Sequence, residues 1–139
     1  MAIDLTDADF QAVDTAQVDR MTCLLGTATS NGAPQISPKG SMMVFDGTRL
    51  AYWERAGRSA IANIKANPQV VVYYRNPGRK LLWRFYGNAE AHPDGALCDA
   101  VWSRTIPEER EKDPDKKGMA VVIDVTLIND LSGKVIQQA

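Results

Sequence analysis

The sequence predicts a mostly β protein, a single domain built on an antiparallel sheet that is closed or nearly so, with short helices at its ends. Its 139 residues, 45% of them hydrophobic, are enough for one domain with one core. Short β-forming runs follow one another, separated by tight-turn signals rather than by long helical crossovers. Residues 70–74 and 81–86 are apolar at nearly every position, so both faces of these strands are expected to be covered.

The first elements are a helix and a hairpin. Residues 6–9 resemble a capping box, which places an N-terminal helix within residues 1–18. A strand is expected over 21–28 and its return strand over 34–45. Asn31 and Gly32 between them favour a type I′ turn, because both residues tolerate positive φ. Pro34 and Pro38 cannot donate ladder hydrogen bonds, so they indicate an edge strand or a bulge.

The remaining elements alternate between strands and helices. Asp46-Gly47 predicts a turn before a third strand at 50–54, and Asn67-Pro68 ends a helix that begins near Gly57. Further elements are expected at 69–75 (strand), 80–91 (strand), 95–103 (helix), 119–128 (strand) and 134–137 (strand). The barrel strands therefore fall within 19–92 and 119–137, and the charged residues 107–118 are interpreted as a solvated loop, including Glu108, Glu109 and Glu111.

Composition argues against several classes of protein. The net charge of −1 provides no overall attraction to nucleic acid or to an anionic membrane. No apolar run is long enough to span a bilayer, and the acidic N-terminus does not resemble a signal peptide. Cys23 and Cys98 each lie in an apolar stretch, so we expect buried thiols in a reducing compartment, the cytoplasm. With His92 as the one histidine, a zinc site is not expected.

No conventional catalytic motif is present. The chain has no Gly-rich phosphate loop and no nucleophile elbow, and one histidine limits any hydrolytic triad. If the protein is an enzyme, a bound cofactor is therefore expected to carry the chemistry.

Two segments are candidates for ligand binding. Gly57-Arg58-Ser59 precedes a helix, where backbone N–H groups and the Arg58 guanidinium favour a phosphate, although ordinary helix capping by Ser59 explains the same residues. In the second segment, Pro38 and Gly40 flank Lys39 and leave the backbone open to a flat ligand; the alternative is a bulged edge strand with a solvated lysine. On the next strand Tyr52 and Trp53 face either a ring system or the core.

Taken together, these segments resemble the pyridoxamine 5'-phosphate oxidase-like, flavin-binding split-barrel family. The similarity covers roughly residues 20–92, more loosely 119–137, and lies in the order of the pieces: the hairpin Asn31-Gly32-x-Pro34, Ser37-Pro38, Tyr52-Trp53, Asn67-Pro68 and Gly87-x-Ala89. The resemblance implies a split barrel of six to seven antiparallel strands. It also implies a homodimer that holds flavin mononucleotide (FMN) at the subunit interface and acts as an oxidoreductase on a small molecule.

The resemblance also implies the cofactor-binding residues. The flavin phosphate is expected near Arg58 and Ser59. Three further groups are expected against the isoalloxazine or along the cofactor: Ser37, Pro38, Lys39 and Gly40; Tyr52, Trp53 and Glu54; Trp83 and Arg84. No catalytic residue is assigned.

The chain departs from the oxidases proper at several positions. It has Ser37 where they have Arg and Leu82 where they have Gln, and it ends at Ala139 without their substrate-binding extension. Oxidation of pyridoxamine phosphate itself is therefore not expected. Two alternatives stay open: a non-catalytic module that binds flavin or haem, and a reductase that uses a deazaflavin.

Overall fold

The computed structural model describes residues 1–55 and 58–139. In that part of the chain eight strands form one antiparallel sheet: β1 (Leu24–Ala28), β2 (Pro34–Pro38), β3 (Met43–Val44), β4 (Arg49–Glu54), β5 (Gln69–Asn76), β6 (Leu81–His92), β7 (Met119–Asn129) and β8 (Val135–Gln138). Three α-helices accompany them: α1 (Arg58–Ala66), α2 (Gly95–Arg104) and α3 (Pro107–Arg110). Two short 3₁₀ helices cover Ala8–Val13 and Pro77–Arg79.

The sheet curls into a split β-barrel, which confirms the predicted fold class. Its strand order is β2-β1-β5-β6-β7-β4-β3, with β8 paired to β7 beside this path. β7 pairs with β6 along one edge, and along the other edge with β4 and then β8. The edge position of β2 agrees with the two prolines at its ends, which have no N–H to donate.

The expected return strand 34–45 is in fact two strands, which raises the strand count from the predicted six or seven to eight. β2 pairs with β1, whereas β3 pairs with β4 at the far end of the sheet order. Residues 39–42 connect them and can span only about 14 Å, so the two edges of the sheet lie close together. This crossover follows Pro38 and contains Gly40, which explains why the ladder of β2 does not continue.

The first hairpin turn also differs from the prediction. Gly32 has a φ of 89°, but Asn31 is not among the residues with positive φ. The Gly32 N–H donates to the Thr29 carbonyl at 3.0 Å, and the Thr29 N–H donates to the Ala33 carbonyl at 2.9 Å. These bonds define a three-residue loop with glycine in the left-handed position, the alternative to a two-residue type I′ turn.

Apolar side chains pack on both faces of the sheet. The barrel interior holds the larger cluster, which includes Tyr52, Tyr74 and Phe85, all with no exposed surface. A smaller cluster lies between α2 and the outer face of β3, β4 and β7, and includes Trp53 and Val101. Helix α2 therefore covers one part of the outer face.

The outer face of β2, β1, β5 and β6 is more open. Ile36 on β2 is 71% exposed. Val71, Tyr73 and Tyr86 are partly exposed and line shallow depressions there together with Ile36. This is the second apolar strand face that the sequence predicted would need a cover.

Two peripheral segments differ from the sequence predictions. The N-terminal helix is a 3₁₀ helix, Ala8–Val13, which buries Phe10 and Val13. The segment expected to be a charged loop contains α3, in which Glu109 is 5% exposed and pairs with Lys112 at 2.7 Å. The prediction that this charged segment is solvated surface was wrong for Glu109, because the Glu109 side chain packs over Gly40.

Candidate functional site

A cleft of about 500 Å³ opens between helix α1 and the start of β7. Its volume is within the range of small-molecule sites, about 300–1,000 Å³. Four cationic side chains line it: Arg55, Arg58, Lys65 and Lys117. Within the described residues none of the four forms an ion pair. The cleft is therefore a candidate site for an anionic ligand.

Helix α1 presents one face to this cleft. Arg58, Ile61, Ala62 and Lys65 line it, at the spacing i, i+3, i+4 and i+7 that places residues on one helical face. The face has a cation at each end and apolar side chains between them. Seven residues of helix separate the cations by about 10 Å along the helix axis. On the other side of the helix Ala60 and Ile64 are buried against the barrel, which fixes this orientation.

A buried ion pair lies beside the cleft. Lys39 Nζ is 2.8 Å from Glu54 Oε1, and the two side chains are 11% and 7% exposed. The same ammonium lies 5.5 Å from the centre of the Tyr52 ring. The alternative that Lys39 is a solvated edge residue was therefore wrong, because the crossover turns the lysine inward. Glu54 in turn lines the cleft.

The wall opposite α1 is held by Asp113, which is 8% exposed. Its carboxylate accepts hydrogen bonds from Trp53 Nε1 (2.9 Å), the Lys117 N–H (2.9 Å) and the Gly118 N–H (2.8 Å). Burial alone would raise the pKa of this carboxyl, but these donors outweigh it and lower the pKa below the usual value. Asp113 is therefore an ionised anchor for the segment that carries Lys117.

The start of β7 meets the end of β4 at Gly118. A Cβ at this position would lie 2.2 Å from the Glu54 carbonyl oxygen and 2.9 Å from Trp53 Nε1. No other residue type has room there, so glycine lets the start of β7 lie directly against the end of β4. Met119 then pairs with Glu54 in the sheet.

The predicted phosphate residues lie in part at this cleft. Gly57 is outside the described residues, and Arg58 is the first residue of α1 and lines the cleft. Ser59 accepts a hydrogen bond from Gln35 Nε2 at 3.0 Å. Gln35 belongs to β2, so Ser59 connects α1 to the edge strand of the sheet.

Several other predicted cofactor residues are buried away from the cleft. Tyr52 is in the barrel interior, where its hydroxyl has no hydrogen-bond partner among the described residues. Trp53 packs on Trp102 at 4.8 Å between ring centres, and Trp83 packs among Phe10, Tyr74 and Phe85 inside the barrel.

The strand β2 residues and Arg84 take other positions. Ser37 and Pro38 pair with Leu25 and Leu24 at the sheet edge. Above Gly40 the space expected for a ligand is filled, because a Cβ there would lie 2.9 Å from the Glu109 carboxyl group. Arg84 donates to the Asp130 carbonyl at 2.6 Å and lines a depression on the outer sheet face. The structure thus brings Glu54 and Arg58 together at the cleft, and Lys39 behind them.

Sequence reasoning missed Lys65, Lys117 and Asp113. The seven-residue spacing from Arg58 to Lys65 was visible and places both on one helical face. Nothing local in the charged segment 107–118 distinguishes Asp113 or Lys117 from their neighbours. Their roles depend on contact with β4, about sixty residues earlier in the chain.

The sequence also carries predictions about metal ligands, membrane spans and thiols. No group of three or more His, Cys, Asp or Glu side chains there is arranged to hold a metal ion. No helix in the same residues is long and apolar enough to cross a membrane. Cys23 and Cys98 are buried free thiols, as predicted, and burial raises the pKa of Cys23 to about 12, so it stays protonated.

Fold and site together define a small split barrel with a cationic cleft at the side of its sheet. The family model of pyridoxamine 5'-phosphate oxidase matches residues 11–129. The chain belongs to this family. No curated protein matches the sequence.

Solved structures share the fold at low sequence identity. HupZ from Group A Streptococcus is 23% identical with a TM-score of 0.70, over 91% of this chain and 95% of that one. An FMN-binding protein from Syntrophomonas wolfei is 14% identical with a TM-score of 0.68, over 91% and 89%. An F420 reductase is 22% identical with a TM-score of 0.58, over 78% and 89%. The chain thus shares its fold with these three proteins.

Proposed function

We propose that this protein binds FMN and acts as an FMN-dependent oxidoreductase on a small molecule. The observation that carries the proposal is the cationic cleft at Arg58, found in a chain of the pyridoxamine 5'-phosphate oxidase family. The absence of a conventional catalytic motif in the sequence agrees with chemistry that a cofactor supplies.

The residues present fit a flavin phosphate. Arg58 would contact it with a charge-assisted hydrogen bond, and the Ser59 hydroxyl, which now accepts from Gln35, has its own O–H to donate. Lys39 and Glu54 would hold the wall of the cleft in place through their buried ion pair. When bound, the flavin would supply hydride or electron transfer to the substrate.

A homodimer is part of the proposal. The open outer face contains Ile36, Val71, Tyr73 and Tyr86, and a second copy of the same face would bury these side chains in a two-fold contact. Gln35, the neighbour of Ile36 on β2, is hydrogen-bonded to Ser59 of α1, so the proposed contact surface would lie close to the proposed phosphate site. The two buried thiols support the proposed cytoplasmic location.

Titration with FMN tests the proposal. The purified protein should be yellow or bind added FMN with quenched flavin fluorescence at micromolar concentration. Arg58→Ala should weaken binding by roughly 2–3 kcal/mol, the cost of losing a charge-assisted phosphate contact. Arg79→Ala is the matched control, because Arg79 is exposed and lies in the 3₁₀ helix after β5. Absence of FMN binding, or equal losses in both variants, would refute the site.

Reduction of the bound flavin tests the activity. Stopped-flow mixing with NADH or NADPH should bleach the flavin absorbance and, with an acceptor present, restore it. A flavin that is bound but never reduced would support a non-catalytic module instead. A parallel titration with a deazaflavin decides between FMN and a deazaflavin as the cofactor. Ser37 and Leu82 stand where the oxidases proper have Arg and Gln, which argues against pyridoxamine phosphate as the substrate.

A further inference from the structure

The cleft carries more positive charge than one flavin phosphate would neutralise. Arg55, Arg58, Lys65 and Lys117 line it, and the carboxylate of Glu54 there is matched by Lys39. A phosphate monoester near neutral pH carries roughly two negative charges. With one phosphate bound, about two cations would face the cleft without a counter-charge. Partial burial under a ligand would make such unmatched cations costly, so a second anionic group is expected.

The arrangement of the cations points to two separate anion positions. Arg58 and Lys65 are two helical turns apart, with Ile61 and Ala62 between them on the same face of α1. The apolar stretch suits a ring or carbon chain, and the ends suit negative charges. A single phosphate beside Arg58 and Ser59 would leave the Lys65 end available to another molecule.

Lys117 supplies a cation from the other wall, on a backbone that is fixed. Its N–H donates to the buried Asp113 carboxylate at 2.9 Å, and the next residue, Gly118, lies against β4. Lys116 differs sharply although it is the adjacent residue of the same type. It does not line the cleft, and its ammonium is paired with Asp99 at 2.8 Å.

We propose that Lys65 and Lys117 form an anion subsite of the cleft, separate from the flavin phosphate, which binds a carboxylate or phosphate group of the substrate. This inference rests on the proposed FMN function and names the substrate class, a small organic anion. Asp113 is a positioning residue, because it acts through the backbone of Lys117 and does not line the cleft.

The test is anion titration of the FMN-loaded protein at constant ionic strength, with inorganic phosphate in one arm and succinate in the other. The flavin absorbance shift and calorimetry report binding. Lys65→Ala and Lys117→Ala should each raise the dissociation constant about tenfold, as expected for one lost charge-assisted contact. Lys116→Ala should leave it unchanged. A preference between the two arms identifies the anionic group.

The same variants separate this subsite from the phosphate site. FMN affinity should fall strongly in Arg58→Ala and change little in Lys65→Ala and Lys117→Ala. The subsite is refuted if neither anion binds, if Lys116→Ala weakens binding as much as Lys117→Ala, or if the two lysine variants lose FMN as Arg58→Ala does. If the wild-type protein fails to bind FMN, the proposed function fails. Lys65-dependent anion binding to the flavin-free protein would then still support the subsite, and its absence would refute both.

Discussion

Lys39 and Glu54 form an ion pair of 2.8 Å in which both side chains are almost fully buried. Removing the lysine takes a cation away from a carboxylate in a poorly solvated place, which is costly. We therefore expect Lys39→Met to lower the free energy of unfolding by about 3 kcal/mol, measured by urea denaturation.

Lys112→Met is the matched control for this prediction. Lys112 also pairs with a buried glutamate, Glu109, at 2.7 Å, but its own side chain is 45% exposed. Solvent screens such a cation, so the expected loss is under about 1 kcal/mol. Equal losses in the two variants would mean that the burial of Lys39 has no energetic consequence.

Acid should loosen the wall of the cleft through Asp113. Because the folded-state pKa of this carboxyl is below its ordinary value of 3.8, it contributes stability above pH 3.8 that is lost as the pH falls through the lower folded value. Asp113→Asn should lower stability at pH 7 and flatten its decline below about pH 4. Urea denaturation of both proteins from pH 2 to pH 7 measures this. Parallel pH profiles for the two proteins would contradict the assignment.

Gly87 should be intolerant of any side chain. It lies at the register shift between β6 and β7, where a Cβ would be 2.2 Å from the Asp124 carbonyl oxygen. Gly87→Ala should cost more than about 2 kcal/mol, because backbone rather than a flexible side chain must move. Gly47→Ala is the control, since its Cβ would meet Thr6 at an ordinary 3.9 Å. Thermal unfolding of both variants should show a loss in Gly87→Ala alone.

A charge on the open sheet face should prevent dimerisation. Ile36→Arg places a cation where the proposed partner packs, and Ile36 is exposed enough (71%) that the subunit should still fold. Val18 is also highly exposed (64%) and does not line the depressions on this face, so Val18→Arg is the control. Sedimentation velocity should give monomers for Ile36→Arg and dimers for the control and the wild type. A wild-type monomer at high concentration would refute the dimer.

Local patterns predicted most of the secondary structure. Tight-turn residues and β-branched runs located the strands, because hairpin turns depend on a few adjacent residues. The split of the predicted strand 34–45 was not visible, since residues 39–42 leave β2 to reach β4 at the other end of the sheet order. That destination is a long-range pairing, which no periodicity within the segment reports.

The site was predicted less completely than the fold, for the same reason. Arg58 stood out because it precedes a helix, and Glu54 through the resemblance. The contacts that build the site join residues that are distant in sequence. Lys39 pairs with Glu54 fifteen residues away, and Asp113 accepts a hydrogen bond from Trp53 sixty residues away. The space above Gly40 likewise is filled by Glu109, which sequence reasoning placed in solvent.

The contact of Gly118 with the Glu54 carbonyl has an evolutionary consequence. Main chain meets main chain there, so the separation of β4 from the start of β7 does not depend on which side chains line the cleft. We expect a new ligand preference to arise by substitution at Arg55, Lys65 and Lys117, which line the cleft, while the barrel underneath stays as it is.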